Sequence, residues 1–360
     1  MKVLSYFSHF RILGSVFLCL ACPTALLSQG YLKLEKEVRK IAADEHFPSL
    51  DIIAWSPKDS VIINYHDPAT QDIDTYGIGS ATKMLVGTFV LHLIEKGKLQ
   101  LNDEIGQLLE LPNKSPYATI TVRQLLQHTS GIPDYTRNSI WLDQVIKGTT
   151  PTSFKERFQL IPNKLHPLNK FYYSNSNYLF LEQIVEKVER IPYDKALNDF
   201  YKNLGLEQVQ LQTGRDSTQT FFAQDNTGTN DVTATQETYG YAGDVHTTSH
   251  TLLQFMVKMF VEQSIIEPGS IQQLQQWVSM DAMKIPVGEG FITHYGNGLM
   301  KLDYKEQLWI GHAGGTLKYQ SFVFFNPSDS TVLIALTNAS GSHYTNAFVQ
   351  KLIPAVLDKL

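Results

Sequence analysis

The stretch Gly77-Ile78-Gly79-Ser80-Ala81-Thr82-Lys83 leads into a run of mainly apolar residues that stops at Gly97. Residues 81–95 predict a helix that is apolar on most faces, and such a helix is normally buried. Glycine is the typical residue just beyond the last turn of a helix, so Gly97 predicts the end of this one. The sequence therefore predicts a buried helix with Ser80 at its N-terminus.

Ser80 and Lys83 have the spacing of a nucleophile and its base. Residues three apart lie on one face of a helix, so Lys83 would hold its amine beside the Ser80 hydroxyl. A serine needs a base at neutral pH, and burial would lower the pKa of the lysine toward that role. The helix N-terminus would also favour a developing anion. The alternative is that Ser80 only caps the helix while Lys83 extends to solvent.

Length and composition indicate a packed globular protein. The 360 residues include 43% hydrophobic and 18% charged side chains, which argues against extensive disorder. The formal net charge is -5, and no cluster of lysine and arginine could follow a phosphate backbone. We therefore expect no nucleic-acid partner.

The N-terminus predicts a signal peptide over residues 1–29. Lys2 and Arg11 precede an uncharged apolar stretch over residues 12–27, as in secretory signals. The stretch is short for a membrane span. We expect an exported protein, periplasmic or extracellular, whose folded domain is residues 30–360.

Two alternatives for this segment place the protein at a membrane. In one, the segment stays uncleaved as an anchor. In the other, Cys22 is lipidated, since Leu20-Ala21-Cys22 resembles the end of a lipoprotein signal. Both cysteines, Cys19 and Cys22, precede residue 30, so a cleaved chain has no disulfide, thiol nucleophile or thiolate metal site.

The two ends of the chain are rich in strand patterns. Residues 50–55 and 61–65 predict a hairpin. Further predicted elements are strands at 298–302, 307–310, 318–325 and 331–337, a turn at Gly314-Gly315, and terminal helices at 31–45 and 344–357. We expect an α+β fold in which one antiparallel sheet is flanked by the N- and C-terminal helices. The sheet subdomain takes residues 30–97 and 291–360, with a helical region over 98–290 inserted between them.

The inserted region alternates helical patterns with loops marked by proline and glycine. Its predicted helices are 121–128, 178–188, 193–204, 248–263 and 271–280. Residues 213–238 are rich in Thr, Gln, Asp and Asn and predict a long polar loop.

Four further segments, taken in order after Ser80, resemble one known family. They are residues 96–103, 121–133, 171–175 and 311–316, and the most specific stretch is Leu125-Leu126-Gln127-His128-Thr129-Ser130-Gly131. From about residue 40 to the C-terminus the chain resembles the serine β-lactamase-related family, which includes class C β-lactamases, D-alanyl-D-alanine carboxypeptidases and esterases. The resemblance implies the fold of that family, a small-molecule or peptide substrate, and no cofactor.

The resemblance also implies roles for individual residues. Ser80 corresponds to the family's nucleophile and Lys83 to its companion lysine. Tyr173 and Asn175 match the Tyr-x-Asn element, and Asn175 would contact both a substrate amide and the Lys83 amine.

The segment His312-Ala313-Gly314 lies where the family has Lys-Thr-Gly or His-Thr-Gly. The backbone N–H of Gly315 would join that of Ser80 as an oxyanion hole. His312 and Ala313 lack the lysine charge and the threonine hydroxyl that help to bind a carboxylate. Strong β-lactamase activity is therefore less expected than peptidase or esterase activity.

Two other segments resemble family elements with changes. Gly243-Asp244-Val245-His246-Thr247-Thr248 is similar to a Gly-Gly-x-x-Ser-Thr element that precedes a helix. Tyr295-Gly296-Asn297-Gly298 is similar to a Tyr-Gly-x-Gly-Trp strand, with Leu299 in the position of the tryptophan.

Several other residues invite a functional interpretation that their surroundings do not favour. His246 and His250 are four apart and could share a helix face as a zinc pair, but no third ligand is evident and no metal is expected. His128 is interpreted as a buried structural residue bonded to the turn that follows it. Asp134-Tyr135 could border the cleft but is interpreted as a solvated loop, whereas Tyr76 and Trp141 fit either a cleft rim or the core.

These observations lead to an acyl-transfer hypothesis. Ser80 attacks a carbonyl, Lys83 and Tyr173 act as a coupled acid–base pair, and water releases the acyl group. Which of the two is the base is left open. A domain that binds acyl groups without turnover is the alternative, and a zinc hydrolase is a weaker one. The sequence does not predict the natural substrate or the oligomeric state.

Overall fold

Two strands near the C-terminus, buried at every position, form the centre of the main sheet. The computed structural model describes residues 25–360 except 71–72, 74, 112–114, 212–221, 226–227, 233–234 and 236. The predicted signal peptide falls mainly on residues 1–24, which lie outside the described residues. In the part that is described, no helix has both the length and the apolar character needed to cross a bilayer.

The strands of the described residues are numbered in chain order. They are β1 (Ser49–Trp55), β2 (Ser60–His66), β3 (Tyr76–Gly77), β4 (Gln210–Leu211), β5 (Phe222–Asp225), β6 (Gly228–Asp231), β7 (Val245–Thr247), β8 (Val278–Ser279), β9 (Ile285–Val287), β10 (Gly290–Tyr295), β11 (Met300–Tyr304), β12 (Gln307–Gly315), β13 (Gln320–Asn326) and β14 (Thr331–Thr337).

The α-helices are numbered in the same way. They are α1 (Ala25–Asp44), α2 (Thr82–Glu95), α3 (Ile105–Leu108), α4 (Val122–Leu126), α5 (Ser139–Ile146), α6 (Phe154–Gln159), α7 (Ser176–Glu189), α8 (Tyr193–Asn203), α9 (Ser249–Met256), α10 (Pro268–Leu274), α11 (Gly341–Ala347) and α12 (Ile353–Leu357). Short 3-10 turns cover Gly79–Ala81, Tyr135–Arg137, Gly240–Ala242 and Asp281–Met283, and π-helical turns cover Val257–Val261 and Phe348–Leu352.

The main sheet is antiparallel and joins the two ends of the described chain. Its strand order is β2-β1-β14-β13-β12-β11-β10-β8, with β9 also paired to β10. The N-terminal hairpin therefore lies beside the last strand, with Ile53 opposite Ile334. This confirms the predicted hairpin and the predicted α+β fold.

The two faces of the sheet pack against different layers. Alternate residues of one strand point to opposite faces, so Phe322 and Phe324 of β13 join a core with the terminal helices α1, α11 and α12. Val323 and Phe325 join a second core that contains α2 and the inserted helices. The sheet is thus covered on both sides, which explains why β13 and β14 are apolar without alternation.

Helix α2 lies in the larger core and confirms the predicted buried helix. Eleven of its fourteen residues are buried. Gly87 faces the turn after β10 so closely that a Cβ atom there would lie 2.3 Å from the carbonyl oxygen of Asn297. The backbone of α2 therefore rests directly on that turn.

Four predicted elements were wrong in detail. Gly314-Gly315 is not a turn: both residues continue β12, and the chain turns at 316–319 instead. The predicted helix over 271–280 is cut short because Val278 pairs with Tyr295 at the edge of the sheet. The sheet also includes β8 and β9, which precede residue 291. The loop predicted over 213–238 contains the hairpin β5–β6, where backbone pairing overrides the polar composition.

A pair of glycine variants tests the contact beneath α2. Gly→Ala inside a helix normally stabilises by about 1 kcal/mol, but at Gly87 the added methyl would collide with Asn297, and overpacking costs about 1–3 kcal/mol. We expect Gly87→Ala to lower the free energy of unfolding in urea by about 1–2 kcal/mol. Gly269→Ala in α10, where nothing lies within 4 Å of the added atom, is the control and should be neutral or slightly stabilising. Equal effects at both positions would contradict this packing.

Candidate active site

The turn before α2 is held between two parts of the fold. Gly79 has a φ of +51°, a conformation that favours glycine. The Ile78 N–H donates to the Val245 carbonyl at 3.0 Å, and the Ile78 carbonyl accepts from Ser321 Oγ at 2.6 Å. This fixes the position of Ser80 at the start of the 3-10 turn that leads into α2.

The Lys83 amine meets three oxygen acceptors in the core. Lys83 is 0% exposed. Its Nζ donates to Ser80 Oγ at 3.0 Å, to Asn175 Oδ1 at 2.9 Å and to the Ala242 carbonyl at 2.6 Å. An ammonium group has three N–H donors, so these contacts satisfy all of them. The alternative in which Lys83 extends to solvent was therefore wrong.

Burial lowers the pKa of Lys83 to about 7. The low-dielectric surroundings disfavour the charged amine, and the nearby carboxyl groups of Asp134 and Asp244 offset only part of that effect. Burial raises the pKa of Asp244 itself to about 8. The neutral amine is thus well populated near pH 7.

Tyr173 lies beside this pair, as the sequence predicted. Its ring centre is 5.0 Å from Lys83 Nζ. Its hydroxyl is buried and makes no hydrogen bond of normal geometry among the described residues. Burial raises the pKa of Tyr173 well above its ordinary value, and the nearby Ser80 hydroxyl offsets only part of this rise.

Asn175 is oriented by its own amide partners. Its Oδ1 faces Lys83, while its Nδ2 donates to Asp134 Oδ2 at 3.2 Å and to Thr136 Oγ1 at 3.1 Å. The predicted contact with the Lys83 amine is confirmed. Asp134 and Tyr135 are buried, which corrects their interpretation as a solvated loop: Asp134 accepts a hydrogen bond from the Asn175 amide, and Tyr135 lies in the core.

His128 packs against the ring of Tyr173. The two rings stack with centres 4.2 Å apart. His128 Nδ1 accepts the backbone N–H of Ser174 at 3.1 Å and pairs with Asn177 Nδ2 at 2.9 Å. The structural role of His128 is confirmed, but its partners are residues 174–177 rather than the turn that follows it. Burial, with the charge of Lys83, holds the pKa of His128 well below the ordinary value.

His312 is buried and both of its ring nitrogens are hydrogen-bonded. Nδ1 lies 2.6 Å from the Ala313 carbonyl, which can only accept, so Nδ1 carries the proton. Nε2 then accepts from the Tyr295 hydroxyl at 2.9 Å. Burial and the nearby Lys83 charge lower the pKa of His312 to about 3, so the ring is neutral.

The end of β12 lies directly against the turn that carries Ser80. A Cβ atom at Gly314 would lie 2.1 Å from the Ile78 carbonyl oxygen and 2.8 Å from the Ala81 nitrogen. A Cβ at Gly79 would lie 2.8 Å from the Gly315 nitrogen. Only glycine allows this approach, which brings the backbone of Gly315 close to the Ser80 turn.

The other candidate residues lie apart from this site or inside the core. His246 is in β7 and His250 is in α9, so the two do not share a helix face. No group of three or more His, Cys, Asp or Glu side chains able to hold a metal ion occurs among the described residues. Tyr76 and Trp141 are core residues.

Sequence reasoning missed three partners of the site. Ala242 contributes a backbone carbonyl, which leaves no mark on the choice of side chain. Thr136 and Tyr295 act through positions that only the folded chain brings together.

The family is established by comparison over most of the chain. The Beta-lactamase family model matches residues 34–353. The chain therefore belongs to the Beta-lactamase family, a family of serine hydrolases, as the motifs predicted.

Solved structures share the fold at low sequence identity. A D-stereospecific amidohydrolase from Streptomyces sp. superposes with a TM-score of 0.74 at 22% identity, covering 90% of this chain and 98% of that one. A D-amino acid amidase from Ochrobactrum anthropi SV3, complexed with D-phenylalanine, gives 0.77 at 18% identity, with coverage of 91% and 98%. A penicillin binding protein from Bacillus halodurans gives 0.72 at 17%, with coverage of 90% and 99%.

Curated relatives are longer than this chain. Protein flp of Staphylococcus aureus (strain N315) is 23% identical over 91% of this chain and 67% of its own length. The chain matches only 55% of the length of protein flp from strain COL, at 25% identity over 77% of this chain.

A histidine variant tests the support of the Tyr173 loop. His128→Phe keeps an aromatic ring but removes the acceptor for Ser174 and Asn177, and a buried donor without a partner costs about 1–3 kcal/mol. His46→Phe is the matched control, because His46 is exposed and has a similar φ, +60° against +56°. We expect the free energy of unfolding in urea to fall by about 1–3 kcal/mol more for His128→Phe. Equal losses would show that the strained backbone, not the hydrogen bonds, accounts for the effect.

Proposed function

We propose that this protein is a serine hydrolase that forms an acyl-enzyme through Ser80. The observation that carries the proposal is the 3.0 Å contact between the Ser80 hydroxyl and the buried Lys83 amine. A base within hydrogen-bond distance is what activates a serine. Membership of the Beta-lactamase family supports the same chemistry.

Lys83 acts as the base in this proposal and Tyr173 as its partner. At neutral pH the lysine, with a pKa of about 7, is partly neutral, whereas the tyrosine stays protonated because burial raises its pKa. Neutral Lys83 takes the Ser80 proton as Oγ forms a bond to the substrate carbonyl carbon. When the intermediate collapses, Tyr173 gives its proton to the leaving alcohol or amine and regains one from the Lys83 ammonium. Water then hydrolyses the acyl-enzyme by the same steps in reverse.

The oxyanion of the intermediate would bind to the backbone N–H groups of Ser80 and Gly315. The close approach of β12 to the Ser80 turn supports this role. Donors of this kind contribute about 3–4 kcal/mol each to lowering the barrier. Gly314 is the residue that permits the approach.

The substrate class that fits best is an amide or ester of a small acyl group such as a D-amino acid or a short peptide. Carboxypeptidase or esterase activity is favoured over strong β-lactamase activity, because His312 is neutral with both ring nitrogens engaged and Ala313 has no hydroxyl. The D-amino acid amidase and the D-stereospecific amidohydrolase among the structural neighbours add support for amide substrates. In Asn175, Nδ2 is occupied by Asp134 and Thr136, so a substrate amide would have to share that donor.

The proposal includes export of the protein. A signal peptide over residues 1–29 would deliver the hydrolase to the periplasm or the exterior, and lipidation at Cys22 or an uncleaved segment would hold it at a membrane. Intact-mass analysis of the protein recovered from expressing cells distinguishes cleavage, lipidation and retention.

Replacement of the nucleophile is the direct test. We expect Ser80→Ala to lose about 1,000-fold or more in kcat/KM on a panel of p-nitrophenyl esters, D-amino acid p-nitroanilides and D-Ala-D-Ala peptides, since the covalent step is lost. Ser56→Ala, in the turn between β1 and β2, is the control and should match the parent. Full activity in Ser80→Ala would refute the proposal.

The same preparations separate turnover from simple acyl binding. Incubation with a labelled β-lactam, followed by intact-mass analysis over time, should show an adduct on the parent protein that disappears. A permanent adduct with no turnover of any panel substrate would favour the acyl-binding alternative.

The pH dependence tests the assignment of the base. The neutral form of Lys83 increases as pH rises through about 7, so kcat/KM on a neutral ester should rise about tenfold per pH unit below 7 and level off above it. Lys83→Arg keeps the charge but cannot deprotonate, so we expect this variant to be inactive from pH 5 to 9. A parent profile flat across this range would contradict a lysine base.

A further inference from the structure

The third acceptor of Lys83 belongs to a turn that the rest of the core holds in place. The Ala242 carbonyl accepts from Nζ at 2.6 Å and lies in the 3-10 turn Gly240–Ala242. We call residues 239–244 the bracing turn. It lies on α7 and α2 and contributes no side chain to the contact with Lys83.

A buried ion pair supports this turn from beneath. Arg157 of α6 and Glu182 of α7 are 1% and 0% exposed. Their contacts are bidentate, with Nη1 to Oε1 at 3.1 Å and Nη2 to Oε2 at 2.5 Å. Glu182 Oε1 also accepts the backbone N–H of Tyr241 at 3.0 Å. Burying such a pair costs desolvation, which the attraction between the two charges offsets best when the geometry is good, and here the contact is bidentate. Arg157 Nε has no hydrogen-bond partner among the described residues.

The bracing turn packs so closely against Glu182 that residue 240 has no room for a side chain. Gly240 has a φ of +56°, and a Cβ atom there would lie 1.9 Å from Glu182 Oε1. Asp244 Oδ2 accepts the N–H groups of Tyr239 and Gly240 at 2.8 and 2.6 Å. The bracing turn is therefore fixed by two carboxyl groups: that of Glu182, which belongs to α7, and that of Asp244, which belongs to the turn itself.

We propose that Arg157 and Glu182 are positioning residues, which hold the bracing turn so that the Ala242 carbonyl keeps the Lys83 amine against Ser80. They touch neither Ser80 nor a substrate and act through Ala242. The effect of the ion pair on the position and protonation of Lys83 can be measured without any activity. Its effect on catalysis rests on the function proposed above.

This arrangement has a consequence for the protonation of Lys83. A carbonyl acceptor favours the ammonium form over the neutral amine. Withdrawing the Ala242 carbonyl therefore moves the titration of Lys83 to lower pH and also leaves the amine less firmly placed. A purely structural role for the ion pair would reduce the amount of active protein without moving this titration.

Of the other titratable groups around Lys83, Asp134, His128 and His312 lie outside the bracing turn, whereas Asp244 belongs to it. Asp134 supplies negative charge, burial raises the pKa of Asp244 to about 8, and His128 and His312 are neutral because burial lowers the pKa of both. The phenol rings of Tyr173 and Tyr178 lie 5.0 and 5.2 Å from Nζ and remain protonated.

Gly240→Ala displaces the turn while leaving every charged residue intact. We expect kcat/KM to fall about 10- to 100-fold, mainly through kcat. We also expect the acidic limb of the pH profile to move by about half a pH unit or more to lower pH. Gly97→Ala is the matched control: its φ is +68°, nothing lies within 4 Å of the added atom, and it should keep the parent profile.

If Gly240→Ala does not fold, a second variant tests the same inference. The titration of Lys83 is also measured directly, in a way that does not require substrate turnover. Arg157→Met combined with Glu182→Leu removes both charges together, so no unpaired charge is left in the core, and it also removes the acceptor of the Tyr241 N–H that holds the turn. Lys83 is followed by NMR in protein labelled with [13C]lysine, its resonance being assigned by its loss in Lys83→Gln. Whichever of the two variants folds should titrate Lys83 at lower pH than the parent and Gly97→Ala.

The outcomes separate this inference from the proposed function. A folded Gly240→Ala or double variant in which Lys83 titrates at the parent pH would overturn the positioning role, whatever the activity. Activity that survives Ser80→Ala would overturn the hydrolase while leaving the NMR titration as a valid test of the ion pair.

Discussion

The burial of the Lys83 amine among three oxygen acceptors is the constraint on which the arrangement of the site depends. An amine removed from water is strongly disfavoured as a cation, so the fold must either satisfy all its donors or let it lose a proton. The contacts to Ser80, Asn175 and Ala242 do the first, and the pKa of about 7 makes the second readily available. Each acceptor comes from a different segment, so α2, α7 and the bracing turn must all be in place together.

Close backbone contacts make that assembly precise. Gly314 lets β12 touch the Ser80 turn, Gly87 lets α2 rest on the turn after β10, and Gly240 lets the bracing turn touch Glu182. At each position a methyl group would approach within about 2 Å of an oxygen atom. A well-packed interior does not easily accommodate an added methyl group. These contacts therefore fix the distances between backbone segments, which do not change when side chains adopt other rotamers.

The electrostatics of the site follow from burial more than from ion pairs. Burial raises the pKa of Tyr173 and lowers the pKa values of Lys83 and His312, so the neutral forms of all three are favoured. Arg157 and Glu182 are the buried exception, and their charges are matched by a bidentate contact. His312, at a position where the resemblance places lysine or histidine, is therefore a neutral hydrogen-bonding group and not a cation.

The sequence by itself determined the buried helix after Ser80 and the joining of the two strand-rich ends in one antiparallel sheet, because both follow from local periodicity and turn residues. It also singled out Ser80 and Lys83 by their spacing, and Tyr173 and Asn175 through the resemblance to family motifs. The structure alone decided that Gly314-Gly315 extends a strand, that Asp134 is buried against Asn175, and that Ala242 and the Arg157–Glu182 pair stand behind Lys83. Those contacts join residues far apart in the chain, and two of them use backbone atoms. The pattern of side chains along the sequence therefore does not identify such partners.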